Sequence, residues 1–145
     1  MGEIVNPGDR HGRVLPASEI ALTWDGNALC ALVGPDLVEG VPGFGDSVHD
    51  ALRELAATLV HEAVWIEVPE HRKFDPTGLR SVRGGTIETN VVKLYRVDDD
   101  RVCAFVSADS CEGVFGIGYS VHEAVQDLAD KSVSAGVWIE GHGTH

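Results

Sequence analysis

Two acidic pairs recur along this 145-residue chain: Asp36 and Glu39 return as Asp109 and Glu112. Converging carboxylates are what a metal-dependent nuclease needs, because two divalent ions must be held close together to clamp the attacking and leaving oxygens. A plainer role fits better. Asp36 and Asp109 stand at turns, where aspartate bonds the backbone just ahead of it, and no further carboxylate pattern of defined spacing accompanies them. His49 and His122 also recur, as a symmetric pair of metal or anion ligands would, although common descent of a surface residue accounts for them more simply. Trp65 and Trp138 recur in short apolar runs, where an indole packs on the core or on the facing copy, or else anchors a partner. His61-Glu62 opens like a zinc-protease helix, but Trp65 occupies the place of the second histidine ligand. Gly40, Gly43 and Gly45, with Gly113, Gly116 and Gly118, precede a helix as a phosphate loop would. Their spacing is wrong for a dinucleotide fingerprint, no P-loop lysine follows, and they read as bulge and turn residues. No catalytic residue, metal site or cofactor is assigned. His49, His122, Trp65, Trp138, Asp36 and Asp109 stand as candidate partner-binding residues.

What positions these residues is a unit written twice. The stretch from Asp25 to Glu67 realigns without a gap onto Asp98 to Glu140, with Cys30-Ala31 matching Cys103-Ala104 and Val64-Trp65-Ile66-Glu67 matching Val137-Trp138-Ile139-Glu140. About half of the aligned positions are identical, which reads as a tandem duplication of one supersecondary unit. A unit of under about 50 residues rarely buries enough surface to offset its chain entropy, so the copies are expected to pack on each other or on another chain.

Each copy reads as β-β-β-α-β. Ile20, Leu22 and Trp24 alternate with Ala21 and Thr23 as a strand, and Asp25-Gly26-Asn27 supplies a turn. Leu29 to Val33 forms a second strand and Val38 to Phe44 a third. Val92 to Val97, Val102 to Val106 and Cys111 to Ile117 repeat that order. Ser47 with Asp50, and Ser120 with Glu123, make capping-box-like helix starts. From there Val48, Ala51, Leu52, Leu55, Ala56, Leu59 and Val60 fall on one helical stripe, as do Val121, Ala124, Val125, Leu128, Ala129 and Val133. His49, Arg53, Glu54 and Thr58 fall on the opposite, solvated side. Val64-Trp65-Ile66 and Val137-Trp138-Ile139 close the copies as last strands. The expected organisation is an irregular arm over 1–18, a first repeat over 19–68, a basic connector over 69–90, a second repeat over 91–141 and a tail over 142–145. Within the connector, Gly84-Gly85 could turn a small hairpin.

Charge narrows the partners. Eleven lysines and arginines face 23 aspartates and glutamates, a formal net charge of −12. That argues against direct binding to nucleic acid or to an anionic membrane and for a basic protein partner. His71, Arg72, Lys73, Arg80 and Arg83 concentrate base in the connector, which could pin it onto the acidic repeats. No apolar run approaches the roughly 18 residues of a membrane span, and Met1 to Gly8 lack a secretion signal, so a cytoplasmic location is expected. Cys30 and Cys103 occupy equivalent places in apolar runs and read as buried, reduced thiols; Cys111 makes the count odd.

The run Ala31-Leu32-Val33, followed by Gly40-Val41-Pro42-Gly43-Phe44-Gly45-Asp46-Ser47-Val48-His49-Asp50-Ala51-Leu52, resembles the HicB-like antitoxin family. There a strand hairpin ends in a proline-glycine turn, and a Gly-Asp-Ser/Thr cap opens an alanine- and leucine-striped helix. The second copy keeps Gly118, Ser120, Glu123 and Ala124, with Phe115-Gly116 for Pro42-Gly43 and Tyr119 for Asp46. The resemblance covers both repeats, not the arm or the connector. It implies a partial RNase H-like lobe that dimerises and masks a basic, RNA-cleaving HicA toxin. With two copies in one chain, it implies an internal pseudo-two-fold dimer. Many members of the family add a DNA-binding segment. Only Gly141 to His145 follow the last strand here, so DNA-directed autorepression is not expected. The expected function is a non-catalytic protein–protein interaction module, with self-association open. The alternatives are a metal-dependent RNase H-like nuclease or a small-ligand binder between the repeats.

Overall fold

A computed structural model describes residues 13–108 and 112–141 of the protein. It is a mixed α+β fold, mostly sheet, with two helices among the described residues. The first half runs β1 (Arg13–Pro16), β2 (Glu19–Asp25), β3 (Ala28–Val33), β4 (Val41–Gly45), α1 (Val48–His61) and β5 (Val64–Glu67). A single 3-10 turn (Pro76–Gly78) and β6 (Arg80–Ser81) follow. The second half runs β7 (Thr86–Thr89), β8 (Val91–Arg96), β9 (Val102–Ser107), β10 (Glu112–Gly118), α2 (Val121–Ala135) and β11 (Trp138–Gly141).

Seven strands form the main sheet in the order β4-β3-β2-β8-β9-β10-β6. The halves meet where β2 pairs antiparallel with β8, Ile20 opposite Val92. Alternation places the two seam strands: Ile20 and Leu22 of β2, like Val92 and Leu94 of β8, point into the core while their neighbours point away, whereas β3 and β9 are apolar runs buried on both faces. Both helices lie against the sheet and against each other, α1 over β4 and β3, α2 over β10 and β9. Ser47 Oγ accepts from Asp50 N, and Ser120 Oγ from Glu123 N, both at 3.2 Å, so each helix begins where its serine satisfies an otherwise orphaned amide. At Gly43 and Gly116 the helix backbone passes so close to the strand that an added Cβ would strike backbone atoms of Ala51 and Leu55, or of Ala124 and Leu128.

Several expectations need correction. The segment over 1–18 is not irregular throughout, since β1 pairs parallel with β5, Leu15 opposite Ile66. Residues 1–12 lie outside the described residues. The third strand begins at Val41, because residues 37–39 form a turn in which Val38 is 88% exposed. For the third strand of the second copy, expected from Cys111, β10 is described from Glu112, and Cys111 lies outside the described residues. Gly84 and Gly85 do turn with positive φ, but β6 and β7 do not pair as a hairpin: β6 joins β10 and β7 joins β11, both parallel. Val60 and Val133 leave the helical stripe and are exposed. Each lies twelve residues past the start of its stripe, about 120° around the helix from Val48 or Val121, while Leu59 and Ser132 beside them stay buried.

The connector crosses β8 and β9 on the face away from the helices. Phe74 stacks on Tyr95 and Phe105 at centroid distances of 4.8 and 5.9 Å. Arg72 lies 4.5 Å over the Tyr95 ring and donates to the carbonyls of Leu94 and Ser18. Arg80 and Glu112 form an ion pair at 2.7 Å.

Each closing strand reaches across to the other half. The Trp24 indole, at the end of β2, donates to Gly141 O at 3.2 Å, and Gly141 sits against Leu29. Arg96, at the end of β8, donates from Nε to Val68 O just past β5 at 2.6 Å. This reciprocal clasp buries Ile66 and Ile139 at opposite ends of the helix pair.

Candidate functional site

The clasp decides where the recurring histidines go. His49 is the second residue of α1, and its ring turns toward β11, 5.5 Å from the Trp138 ring at an interplanar angle of 49°. It is only 6% exposed, and its Nε2 is sealed from solvent without a hydrogen-bond partner. Burial pushes its pKa below the ordinary histidine value and Arg53 adds to that, while Asp50 and the Val137 backbone oppose them. The expectation of a solvated His49 is therefore overturned. A cleft of about 380 Å³ opens beside it, lined by Ser47 and Asp50 at the start of α1, Ser132, Val133 and Gly136 at the end of α2, and Val137-Trp138.

His122 takes a different course. It is half-buried, and both ring nitrogens lie close to Ser120 Oγ, at 3.1 and 3.2 Å. Its groove, about 530 Å³, is floored by Ala56, Ala57 and Val60 of α1 and by Ile117 to Tyr119, with Glu123, Asp127 and Asp130 on the rim. Those three acids already have partners: Glu123 accepts from Tyr119 N, Asp127 from Ile117 N and Lys131, and Asp130 from Arg53.

Trp65 does not line the His122 groove. It lies with Asp99, Asp100, Tyr119 and Ser120 in a separate recess of about 410 Å³. Trp65 and Trp138 are 39% and 47% exposed. In both strands the neighbouring Ile66 and Ile139 face the core, so alternation turns the tryptophans outward; packing in the core is corrected for both, while Trp138 packs across on His49 of the other half.

Asp36 stays at its turn, accepting from Val38 N and Glu39 N at 2.9 and 2.8 Å. Asp109 lies outside the described residues. Among the described residues no three histidine, cysteine, aspartate or glutamate side chains come together as a metal-binding group. Cys30 and Cys103 are buried free thiols on the sheet face away from the helices. Burial raises both, Cys103 to about 12, so neither is a ready nucleophile.

No family model, curated protein or solved structure matches this chain.

The structure thus brings together His49 and Trp138, whereas His122 and Trp65 line different recesses. The sequence reading missed Val133, Val137 and Asp50 as neighbours of the first pair. Val133 and Val137 come from the far end of the chain, and no local pattern announces the crossing of β11 to the start of α1. No helix of the described residues is long and apolar enough to cross a membrane.

Proposed function

We propose that the chain is a tandem duplication of a β-β-β-α-β unit, folded as an internal pseudo-two-fold dimer. It acts as a non-catalytic protein–protein interaction module of the HicB antitoxin kind, with a basic protein as its partner. The observation that carries this reading is the reversal of element order about the β2–β8 seam, with β3, β4 and α1 on one side and β9, β10 and α2 on the other. Buried positions match across the seam: Leu22 corresponds to Leu94, Leu29 to Val102, Leu55 to Leu128 and Ile66 to Ile139. A single-copy relative would make this arrangement between two chains. The upstream strands fit the same plan with one residue inserted. A two-residue turn links β2 to β3, whereas Val97 N bonds to Arg101 O around a three-residue loop between β8 and β9.

The formal charge of −12 suits a cationic partner. The recurring acids Asp36 and Glu112 are engaged in a turn and in an ion pair with Arg80, which leaves them to structure rather than to metal chemistry. The test is affinity capture from the source organism at low and moderate salt, with the co-purifying proteins identified by mass. A small basic protein should bind at low salt and weaken as salt rises. Once purified, its ribonuclease activity should be titrated away by stoichiometric amounts of the chain. If no basic protein co-purifies at either salt concentration, the reading is lost.

A further inference from the structure

The two histidines occupy matching places at the starts of the two helices, yet only one is left wanting. His122 has the Ser120 hydroxyl beside both ring nitrogens, whereas His49 carries a sealed Nε2 with no partner. A buried polar atom without a partner costs about 1–3 kcal/mol, so proteins rarely keep one that has no use. We infer that the cleft between the first turn of α1 and the α2–β11 junction receives a cationic side chain, arginine or lysine, of the basic protein partner. This rests on the functional reading above and names the surface through which it works.

The chemistry of the cleft selects a cation. The Val137 carbonyl accepts from the ring, which places the one proton of the neutral imidazole there and the lone pair on Nε2; sealed in this structure, Nε2 is reached once an incoming group parts the His49 and Trp138 rings. An acceptor calls for an incoming N–H, which a guanidinium or ammonium brings and an anion does not. Asp50 lines the cleft. A second carboxylate, Glu140, accepts from the Trp138 indole N–H at 2.7 Å, so negative charge lies beside the ring that lines the cleft. Arg53, the nearest cation on α1, is drawn toward Asp130 at 3.2 Å. Trp138, about half exposed as a residue, offers a cation–π contact, and the exposed Val133 offers an apolar wall for the aliphatic stem. The rings of His49 and Trp138 touch at 5.5 Å, closer than the two contacts of about 3.5 Å that a planar group between them would need, so an incoming guanidinium parts them or lies on the outer side of the indole.

The test follows the imidazole resonances of His49 by NMR while the full chain is titrated, at pH 7.5 and constant ionic strength, with acetyl-Gly-Arg-Gly-amide or acetyl-Gly-Glu-Gly-amide. The arginine peptide should shift them saturably, and the glutamate peptide should leave them in place. Trp138→Ala and Asp50→Asn should each weaken the arginine response by about tenfold, with Trp138→Phe retaining most of it and circular dichroism confirming the fold. Equal responses to the two peptides, or none to arginine, overturn the inference. With a captured and purified partner, Trp138→Ala and Asp50→Asn should likewise lower affinity about tenfold. Undiminished affinity sinks this cleft and leaves the broader reading standing. If no partner is captured, the broader reading falls, and the peptide titration still decides the cleft.

Discussion

Residues 28–61 and 102–135 lay down the same three pieces, two antiparallel strands and the helix that packs on them, but their outer faces differ. In the second half Tyr95 and Phe105 meet Phe74 of the connector, and Phe115 lies 5.5 Å from the Lys131 ammonium. The matching positions of the first half hold Thr23, Leu32 and Pro42, with no aromatic ring among them. The edges differ as well. Proline in β4 carries no N–H to offer a neighbouring strand, whereas in β10 the Ile117 N–H is occupied by the Asp127 carboxylate at 3.0 Å. The interior contact between strand and helix is alike in both halves, and the surfaces have been solved twice by different chemistry.

The sharpest way to break this comparison is at the shared interior. Gly43→Ala and Gly116→Ala each place a methyl group against helix backbone that has no flexible side chain to yield. Each should cost about 3 kcal/mol, read as a fall in the urea midpoint, because overpacking a strand against a helix shifts the whole element. Equal losses would support the equivalence of the two interiors. A tolerated alanine at either site would show that one helix stands off its sheet.

A smaller effect tests the difference in surfaces. Phe74→Ala removes the ring that touches both Tyr95 and Phe105. It should destabilise by about 2 kcal/mol, below the range for a fully buried phenylalanine because Phe74 is half-buried. Leu32→Ala, at the position matching Phe105, should cost about half as much by the same denaturation measurement. A larger loss at Leu32 than at Phe74 would mean that the aromatic face contributes little.

How much of this could be read in advance depended on the range of the contacts. The β2–β3–β4 and β8–β9–β10 meanders and both helices were legible, because alternation in Ile20-Leu22, the Ser47 and Ser120 caps and the leucine stripes are local signals. Strands β1 and β7 were not. Four residues each, one run ending in Pro16 and the other reading Thr86-Ile87-Glu88-Thr89, they pair in parallel with strands some fifty residues away. The site was legible only as a set of recurring residue types. His49 lay on the polar side of its own helix, and its burial comes from Trp138, placed there by a crossing that the periodicity of α1 cannot encode.

That burial has a pH signature. His49 is held neutral first by burial and then by the Arg53 charge, with Asp50 and the Val137 backbone opposing. A histidine whose folded pKa lies below its unfolded value of about 6.5 binds protons more readily once unfolded. Its contribution to stability is therefore complete above about pH 6.5 and is lost as pH falls through and below that value. Other groups titrate too, so the measurement is the difference between wild type and His49→Leu in unfolding free energy at pH 7.5 and 5.5. Wild type should lose more stability on acidification than the variant. Identical losses would show that His49 is solvated in the folded protein. In Trp138→Ala, which uncovers the ring, the extra loss should shrink.

The smallest effect belongs to the matching helix ends. Ala63, just past α1, has φ of 55°, and Gly136, its counterpart after α2, has φ of 69°. The same left-handed residue ends both helices, but only the second half uses the residue that adopts it without a steric cost. The Cβ of an L-residue in this conformation crowds the following carbonyl at a cost of about 1–2 kcal/mol. Glycine relieves that strain while giving the unfolded chain more freedom, a penalty of about 0.4–1 kcal/mol. The two terms oppose, and the strain term is the larger. Ala63→Gly should therefore raise stability by about 0.5 kcal/mol, and Gly136→Ala should lower it by a similar amount, both measured from urea midpoints at constant slope. If the two substitutions move the midpoint in the same direction, the helix ends are not equivalent, and Ala63 owes its conformation to contacts that Gly136 does not make.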